Sequence, residues 1–214
     1  MNKSLSFQRI ILATVLLVFG VYLVSNVNRW IPIPYLGYFS LVITGTIAYT
    51  LVFGFKAYKQ LFQKPINFWK NFFNYFLLTI LFSFVLGVII ALITHTQRGN
   101  DAVNNPLWFF FLIMPFALIG EELFSLYFYD LFKQKVSPFA ANSLTSIIFG
   151  LIHYTTYFNG SILLTIVQVI LLQGSARFWF NRSYEQSRSI FTSFAIHYFF
   201  DLVSFMFTLF VIQH

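Results

Sequence analysis

The chain has 214 residues, of which 58% are hydrophobic and only 9% are charged, and it contains no cysteine. Because soluble domains are about 25% charged, this chain is too apolar to cover a water-facing surface. Disulfides and thiolate metal sites are excluded. The formal net charge of +7 is attributed to basic loops at a cytoplasmic membrane face rather than to nucleic-acid binding. The composition therefore indicates an integral membrane protein.

Seven stretches are apolar enough to cross a hydrocarbon core, which takes about 20 residues. In chain order they are Ile10–Val27, Leu36–Phe55, Phe72–Thr94, Leu107–Phe132, Phe139–Phe158, Ser161–Phe180 and Ser189–Ile212. The first stretch lacks a small-residue cleavage site, so we expect a retained span rather than a signal peptide. Turn signals separate the stretches, and Ser137-Pro138 is typical of a helix start. The prediction is an all-α, polytopic membrane bundle of about seven transmembrane helices.

The distribution of basic residues supports this count and gives the orientation. With the N-terminus in the cytoplasm, the outer segments hold only Arg29 and Arg98. The inner segments hold Lys3, Arg9, Lys56, Lys59, Lys64, Lys70, Lys133, Lys135, Arg177, Arg182 and Arg188. We therefore predict a cytoplasmic N-terminus, three spans without a motif in residues 1–106, and four motif-bearing spans in residues 107–214.

Several ionisable side chains fall inside the predicted spans, where each costs about 2.5–3.5 kcal/mol and usually has a function. Glu121 and Glu122 lie in the fourth stretch and His153 in the fifth, and His197 and Asp201 lie in the seventh. At a rise of about 1.5 Å per residue, all but Glu122 lie about 12–21 Å from the cytoplasmic helix ends. They thus share one layer of the membrane, and no lysine or arginine is predicted in the middle of a span.

Spacing within the helices gives these side chains an orientation. His197 and Asp201 are four residues apart and share a helix face, as do Phe149 and His153. A single intramembrane histidine is more often a packing residue, but groups from three helices in one layer favour a functional site.

The two adjacent glutamates are about 100° apart around their helix, so only one of them faces a common site. Pro115 and Gly120, shortly before Glu121 and Glu122, are expected to loosen the helix and admit water. Three polar residues of the sixth stretch are interpreted as packing or interface positions: Gln168, Gln173 and Arg177.

Three ordered motifs within residues 107–205 resemble those of the CPBP family, the CaaX-protease and bacteriocin-processing (Abi) proteins that include type II prenyl-protein endopeptidases. The matching residues are Glu121-Glu122, Phe149 with His153, and His197 with Asp201. The chain departs from the first motif at Leu126, where the family has an arginine. Glu122 is therefore expected to be protonated, hydrated or paired with a group from another helix, for which Arg177 is a candidate.

The resemblance implies an intramembrane endopeptidase in which Glu121 is the general base and His153 orients the attacking water. His197 would donate to the oxyanion, and Asp201 would either be protonated or orient His197 and favour its charged form. Glu122 and Phe149 would support the site. Two histidines and a glutamate also suit zinc. However, the sequence lacks His-Glu-x-x-His and the resemblance implies metal-independent catalysis, so we expect no cofactor and assign no metal ligand.

The expected partners are the lipid bilayer and a hydrophobic or membrane-associated peptide substrate, with no nucleic acid, in the bacterial plasma membrane. Peptide maturation, for example of a bacteriocin, and self-immunity both fit, and nothing in the sequence selects a lipidated substrate. One alternative is a non-catalytic membrane immunity or scaffold protein, which the missing motif arginine favours. Another is a proton-coupled transporter, against which stands the lack of an inverted repeat.

Overall fold

The structure is a computed structural model that describes residues 6–94 and 105–209. These residues form helices and turns and contain no β-strand, so the all-α prediction is confirmed. The α-helices are α1 Phe7–Asn26, α2 Gly37–Phe53, α3 Phe55–Leu61, α4 Phe68–Thr94, α5 Leu107–Leu112, α6 Met114–Phe132, α7 Pro138–Ile152, α8 Ile162–Val169, α9 Ser175–Ser187 and α10 Ile190–Phe207. A 3₁₀ turn, Val27–Arg29, follows α1, and a π-helical turn, Ile170–Gly174, joins α8 to α9.

Within the described part of the chain, four helical stretches are long and apolar enough to cross a membrane: Phe7–Arg29, Phe68–Ile93, Ile162–Ser187 and Ile190–Phe207. Two further apolar helices are shorter, Gly37–Phe53 and Pro138–Ile152. The chain is therefore a multi-pass membrane protein. The count of about seven spans and the cytoplasmic N-terminus stay predictions.

Three of the differences between the observed and the predicted helix boundaries matter for the motif-bearing segments. The predicted span Leu107–Phe132 is interrupted at Ile113, and Pro115 lies in the first turn of α6, where a missing amide hydrogen costs no helical hydrogen bond. The predicted span Phe139–Phe158 ends early, at Ile152, and the sixth span continues beyond Phe180 to Ser187.

The start of α7 agrees with the prediction from Ser137-Pro138. Ser137 is the N-cap residue, and its Oγ accepts a hydrogen bond from the amide of Ala140 at 3.2 Å. The cap satisfies one of the amide groups that the first turn leaves without an intrahelical partner.

The first of two compact units comprises residues up to 64 together with residues 107–127. Glycines allow its helices to approach closely, as is common in membranes. A Cβ on Gly20 of α1 would clash with the side chain of Thr44 on α2, and a Cβ on Gly120 would lie 2.7 Å from the amide nitrogen of Val42. Gly120 is thus a packing residue within an unbroken α6, and the expectation that it loosens the helix is wrong.

The second compact unit comprises residues 65–106 and the residues from 128 onward. α9 is its central helix and packs against α4, α7 and α10. The core of the unit consists of Phe72, Ala176, Phe180 and Ile196. The predicted division at residue 106 separates three spans without a motif from four motif-bearing spans, and it stays a prediction.

α7 is held against the helices that follow it by close packing and by polar contacts. A Cβ on Gly150 would lie 2.7 Å from the carbonyl oxygen of Val169, and one on Gly174 would lie 2.9 Å from that of Ser146. Asn142 Oδ1 accepts a hydrogen bond from the side-chain amide of Asn181 at 2.9 Å. These contacts fix α7 against the π-helical turn and α9, and so position the second motif.

Candidate functional site

His153 is the residue at which α7 ends, rather than a residue in the middle of a longer helix. Its own amide donates to the carbonyl of Gly150, so the carbonyl of Phe149 has lost the partner that a continuing helix would give it. The His153 ring fills that place, with Nδ1 lying 2.9 Å from the Phe149 oxygen. Since a carbonyl only accepts, Nδ1 carries the hydrogen and Nε2 is the acceptor of a neutral ring.

His197 lies within α10 and is 5% exposed. Its ring stacks on Phe180, with the centroids 4.7 Å apart and the planes at 30°. Nε2 lies 3.8 Å from Asp201 Oδ2, which is one turn further along α10. The shared helix face predicted from the spacing is therefore observed.

Phe149 connects the two histidines. Its ring centroid lies 4.7 Å from that of His153 and 6.4 Å from that of His197. A single phenyl ring thus neighbours both imidazoles, and the second unit brings together the second and third motifs.

Arg177 of α9 is a member of this cluster that the sequence did not predict. It is fully buried, and its guanidinium lies 4.1 Å above the Phe149 ring and 5.1 Å from that of Phe180. Its Nη2 lies 3.1 Å from Nδ1 of His197. Its burial against two rings agrees with the interpretation of Arg177 as a packing residue. The prediction that no basic residue lies in the middle of a span is wrong, because the sixth span continues to Ser187.

One signal in the sequence indicates this position. Arg177 is surrounded by Ala176, Phe178, Trp179 and Phe180, so an isolated cation stands among aromatic side chains instead of among the polar residues of a loop. A buried guanidinium costs several kcal/mol unless it is paired. Its two aromatic neighbours and the histidine offset that cost.

Glu121 and Glu122 lie on α6, in the part that belongs to the first unit. Glu122 is fully buried and Glu121 is partly exposed. Leu126, at the position of the motif arginine, is also fully buried. The contact between Gly120 and α2 determines where the pair lies within the unit. The meeting of Glu121 with the two imidazoles stays a prediction, as do the roles of all motif residues.

Metal binding was the alternative use of these side chains. Among residues 6–94 and 105–209, no three His, Asp or Glu side chains form a group that could hold a metal ion. The zinc hypothesis gains no support from this geometry, and cofactor-free catalysis stays a prediction.

Taken together, the helices and the cluster define an all-α, multi-pass membrane protein with ionisable groups held among aromatic rings. Residues 103–203 match the family model described as type II CAAX prenyl endopeptidase Rce1-like. No match was found among the curated proteins, and none among the solved structures. The match covers a little under half of the chain and includes all three motifs. This segment is therefore similar to the CPBP family, which is a family of proteases.

Proposed function

We propose that this protein is an intramembrane endopeptidase that hydrolyses a peptide bond in a hydrophobic, membrane-associated substrate. The observation that carries the proposal is the packing of His153 and His197 around Phe149, with Asp201 beside His197, inside the segment that matches a protease family. Such a cluster is costly to keep within a membrane span without a function.

In the proposed first step, Glu121 acts as general base and removes a proton from water. His153 orients this water through Nε2, the nitrogen that its bond to Phe149 leaves as an acceptor. The water oxygen bonds to the carbonyl carbon of the substrate, and the carbonyl oxygen becomes an oxyanion. Two groups of different character thus act on one water molecule, a carboxylate that takes the proton and an imidazole that receives a hydrogen bond.

In the second step, the oxyanion collapses, the carbon–nitrogen bond breaks, and Glu121 returns the proton to the leaving amine. His197 stabilises the oxyanion by donating from Nε2, and Asp201 lies on the side of this nitrogen. A single oxyanion donor typically contributes about 10²–10³-fold to the rate. Every proton taken up is returned within the cycle, and the proposed cycle uses no cofactor.

The substrate class has two candidates. The family description names CAAX prenyl endopeptidases, which favours a peptide with a prenylated C-terminal motif. Maturation of a bacteriocin or another hydrophobic peptide, or self-immunity against one, in a bacterial plasma membrane is the second candidate. Both substrates would enter from the bilayer.

A non-catalytic immunity or scaffold protein is the competing function, and one observation favours it. The first motif lacks its arginine, and Leu126 at that position is fully buried. A scaffold would keep its biological effect after loss of Glu121, whereas an enzyme would not.

The decisive experiment is cleavage by the full chain reconstituted in phospholipid vesicles. The probes are a farnesylated peptide ending in a CAAX sequence, its unprenylated twin, and a hydrophobic helical peptide, with products identified by mass. We expect Glu121→Gln and His153→Ala to lower the rate by about 10²–10⁴-fold, and His197→Ala by about 10²–10³-fold.

Two controls accompany this assay. Glu185→Gln removes a carboxylate from α9, where it pairs with Arg182 outside the motifs, and should leave cleavage unchanged. A chelator should also have no effect. Cleavage that survives both Glu121→Gln and His153→Ala would rule out the assignment, and loss of cleavage with the chelator would support a metalloprotease instead.

A further inference from the structure

The contact between Arg177 and His197 constrains where the imidazole carries its hydrogen. A guanidinium offers only N–H donors and stays protonated in proteins. Its Nη2 lies 3.1 Å from Nδ1 of His197, and both side chains are buried. Nδ1 therefore accepts with its lone pair. In the neutral ring, the hydrogen is then on Nε2, the nitrogen nearer to Asp201.

We propose that Arg177 is a positioning residue that holds His197 in the Nε2–H tautomer, with this hydrogen available to the oxyanion. The catalytic part of the role rests on the proposed endopeptidase function, whereas the tautomer does not. In this role Arg177 acts through its hydrogen bond to His197.

Two aromatic rings border the guanidinium of Arg177 and restrain it as a hydrogen-bond donor to His197. Phe180 stacks on His197 at 4.7 Å and lies 5.1 Å from the guanidinium, so one ring borders both partners. The ring of Phe149 lies under the guanidinium at 4.1 Å. Planar guanidinium groups stack on aromatic faces, while an ammonium group lacks this geometry. The arginine is therefore restrained by two rings, and its hydrogen bond restrains the imidazole.

The two histidines consequently present opposite groups at Nε2. His153 donates from Nδ1 to a carbonyl and keeps a lone pair on Nε2. His197 accepts at Nδ1 and keeps a hydrogen on Nε2. An acceptor suits the orientation of water, and a donor suits an oxyanion. Asp201 alone would favour a charged ring, whereas a hydrogen bond accepted from Arg177 requires a lone pair on Nδ1.

The first test measures the tautomer and needs no substrate. The full chain is labelled with ¹⁵N-histidine in lipid nanodiscs, and couplings from the ring carbons to each nitrogen identify the protonated one. His197→Ala identifies the signal among the four histidines. At neutral pH we expect the hydrogen on Nε2. A hydrogen on Nδ1, or on both nitrogens, would overturn the proposal.

The second test compares Arg177→Met with Arg177→Lys. Methionine fills the space but cannot donate, so we expect His197 to exchange between its tautomers. Lysine also presents only N–H donors and should preserve the Nε2–H form in part. Arg182→Met, which removes the half-buried arginine of the Arg182–Glu185 pair from the same helix, is the matched control and should leave the spectrum unchanged. An unchanged tautomer in Arg177→Met contradicts the role.

The activity readout uses the peptide probes of the vesicle assay. We expect Arg177→Met to lower kcat about 30-fold, less than removal of the donor itself, with KM changed less than about threefold. Arg177→Lys should retain more activity than Arg177→Met. If Arg177 only filled space, methionine would be the better replacement, and that order would refute the proposal. If the methionine variant does not fold, the wild-type and lysine spectra decide.

The two proposals fail in different ways. A wild-type chain that cleaves none of the probes, while His197 carries its hydrogen on Nε2 only when Arg177 is present, contradicts the protease and keeps the tautomer. Cleavage that requires Glu121 but is as fast in Arg177→Met as in the wild type contradicts the positioning role and keeps the protease.

Discussion

In each imidazole of the candidate site, a neighbouring group determines whether Nδ1 carries a hydrogen, because that neighbour can only accept or only donate a hydrogen bond. The carbonyl of Phe149 only accepts and Arg177 only donates, so these two neighbours set the hydrogen position on the two imidazoles. This arrangement leaves Asp201 a narrower role than the sequence suggests. Its Oδ2 lies 3.8 Å from His197 Nε2, where it faces the hydrogen that the oxyanion would receive.

Two substitutions at Asp201 test whether its side chain orients the imidazole of His197. Asparagine keeps an oxygen acceptor at the same reach, so we expect Asp201→Asn to retain cleavage within about fivefold, since a neutral acceptor loses only part of about 1 kcal/mol. Asp201→Leu removes the carboxylate beside Nε2 and should lower the rate about 10–100-fold, equivalent to about 1.4–2.7 kcal/mol of lost orientation. The vesicle cleavage assay measures both. Equal rates for the wild type and the leucine variant would contradict any orienting role.

At the scale of the helix, glycine positions decide how closely the motif-bearing segments approach their neighbours. Gly150 stands between Phe149 and Leu151, where a side chain would meet the backbone of Val169 at 2.7 Å. Gly87 in α4 has no atom within 4 Å of the corresponding position. The two glycines therefore predict opposite responses to the same substitution.

Gly150→Ala should force α7 away from the π-helical turn and lower the free energy of unfolding by about 1–3 kcal/mol, the usual cost of overpacking. Gly87→Ala should be neutral or stabilise by up to about 1 kcal/mol, because alanine is the better helix former. Denaturant unfolding in mixed lipid–detergent micelles measures both values. A Gly150→Ala variant as stable as Gly87→Ala would show that the close contact with Val169 is not maintained.

The helices themselves were predicted more reliably than their ends. The Ser137-Pro138 pair marks the start of α7 because it carries a local capping signal, and that prediction is confirmed. The end of α7 at Ile152 carries no glycine or proline signal, since it depends on the His153 ring taking over a backbone carbonyl. α9 extends past the apolar region because it packs on α4, α7 and α10, and such tertiary packing leaves no mark in hydropathy.

Within the site, contacts along one helix could be predicted from the sequence, whereas the contact between α9 and α10 could not. Spacing of four residues predicts the neighbours of His153 and His197 along their own helices, and both pairs are found together. Arg177 reaches His197 from a different helix, and its position depends on a π-helical turn that ends at Gly174, three residues earlier. The aromatic neighbours of Arg177 in the sequence indicate a buried position, but they do not encode a contact between helices, so the pairing with His197 required the structure.

For the molecule as a whole, the orientation in the membrane is the prediction with the widest consequences. The basic residues predict that the loops after α3, α6 and α9 are cytoplasmic and the turn after α1 is outside. The chain contains no cysteine, so single cysteines can be introduced without background. We introduce single cysteines at three exposed positions: Lys64, Lys135 and Arg188. We expect them to react with a membrane-impermeant reagent only after the cells are permeabilised, which gives the reagent access to the cytoplasmic side.

A cysteine at Arg29 should react in intact cells and is the matched control for reagent access. Labelling of Lys135→Cys from outside would contradict the predicted number of spans, because it would place the loop between α6 and α7 on the outer side of the membrane. The experiment reads topology alone and is independent of any cleavage.

The segment carrying the three motifs is continuous in sequence but begins in one packing unit and ends in the other. Residues 107–127 belong with α1 and α2, where Tyr127 Oη lies 3.1 Å from the carbonyl oxygen of Ile10 and Gly120 contacts the backbone of α2. An excised fragment starting at residue 107 would therefore leave the helix of Glu121 without its supporting surface, and would expose a tyrosine hydroxyl and a bare glycine face to hydrocarbon. A minimal version of this protein should retain its motif-free first spans, because α1 and α2 pack against the helix that carries the glutamate pair.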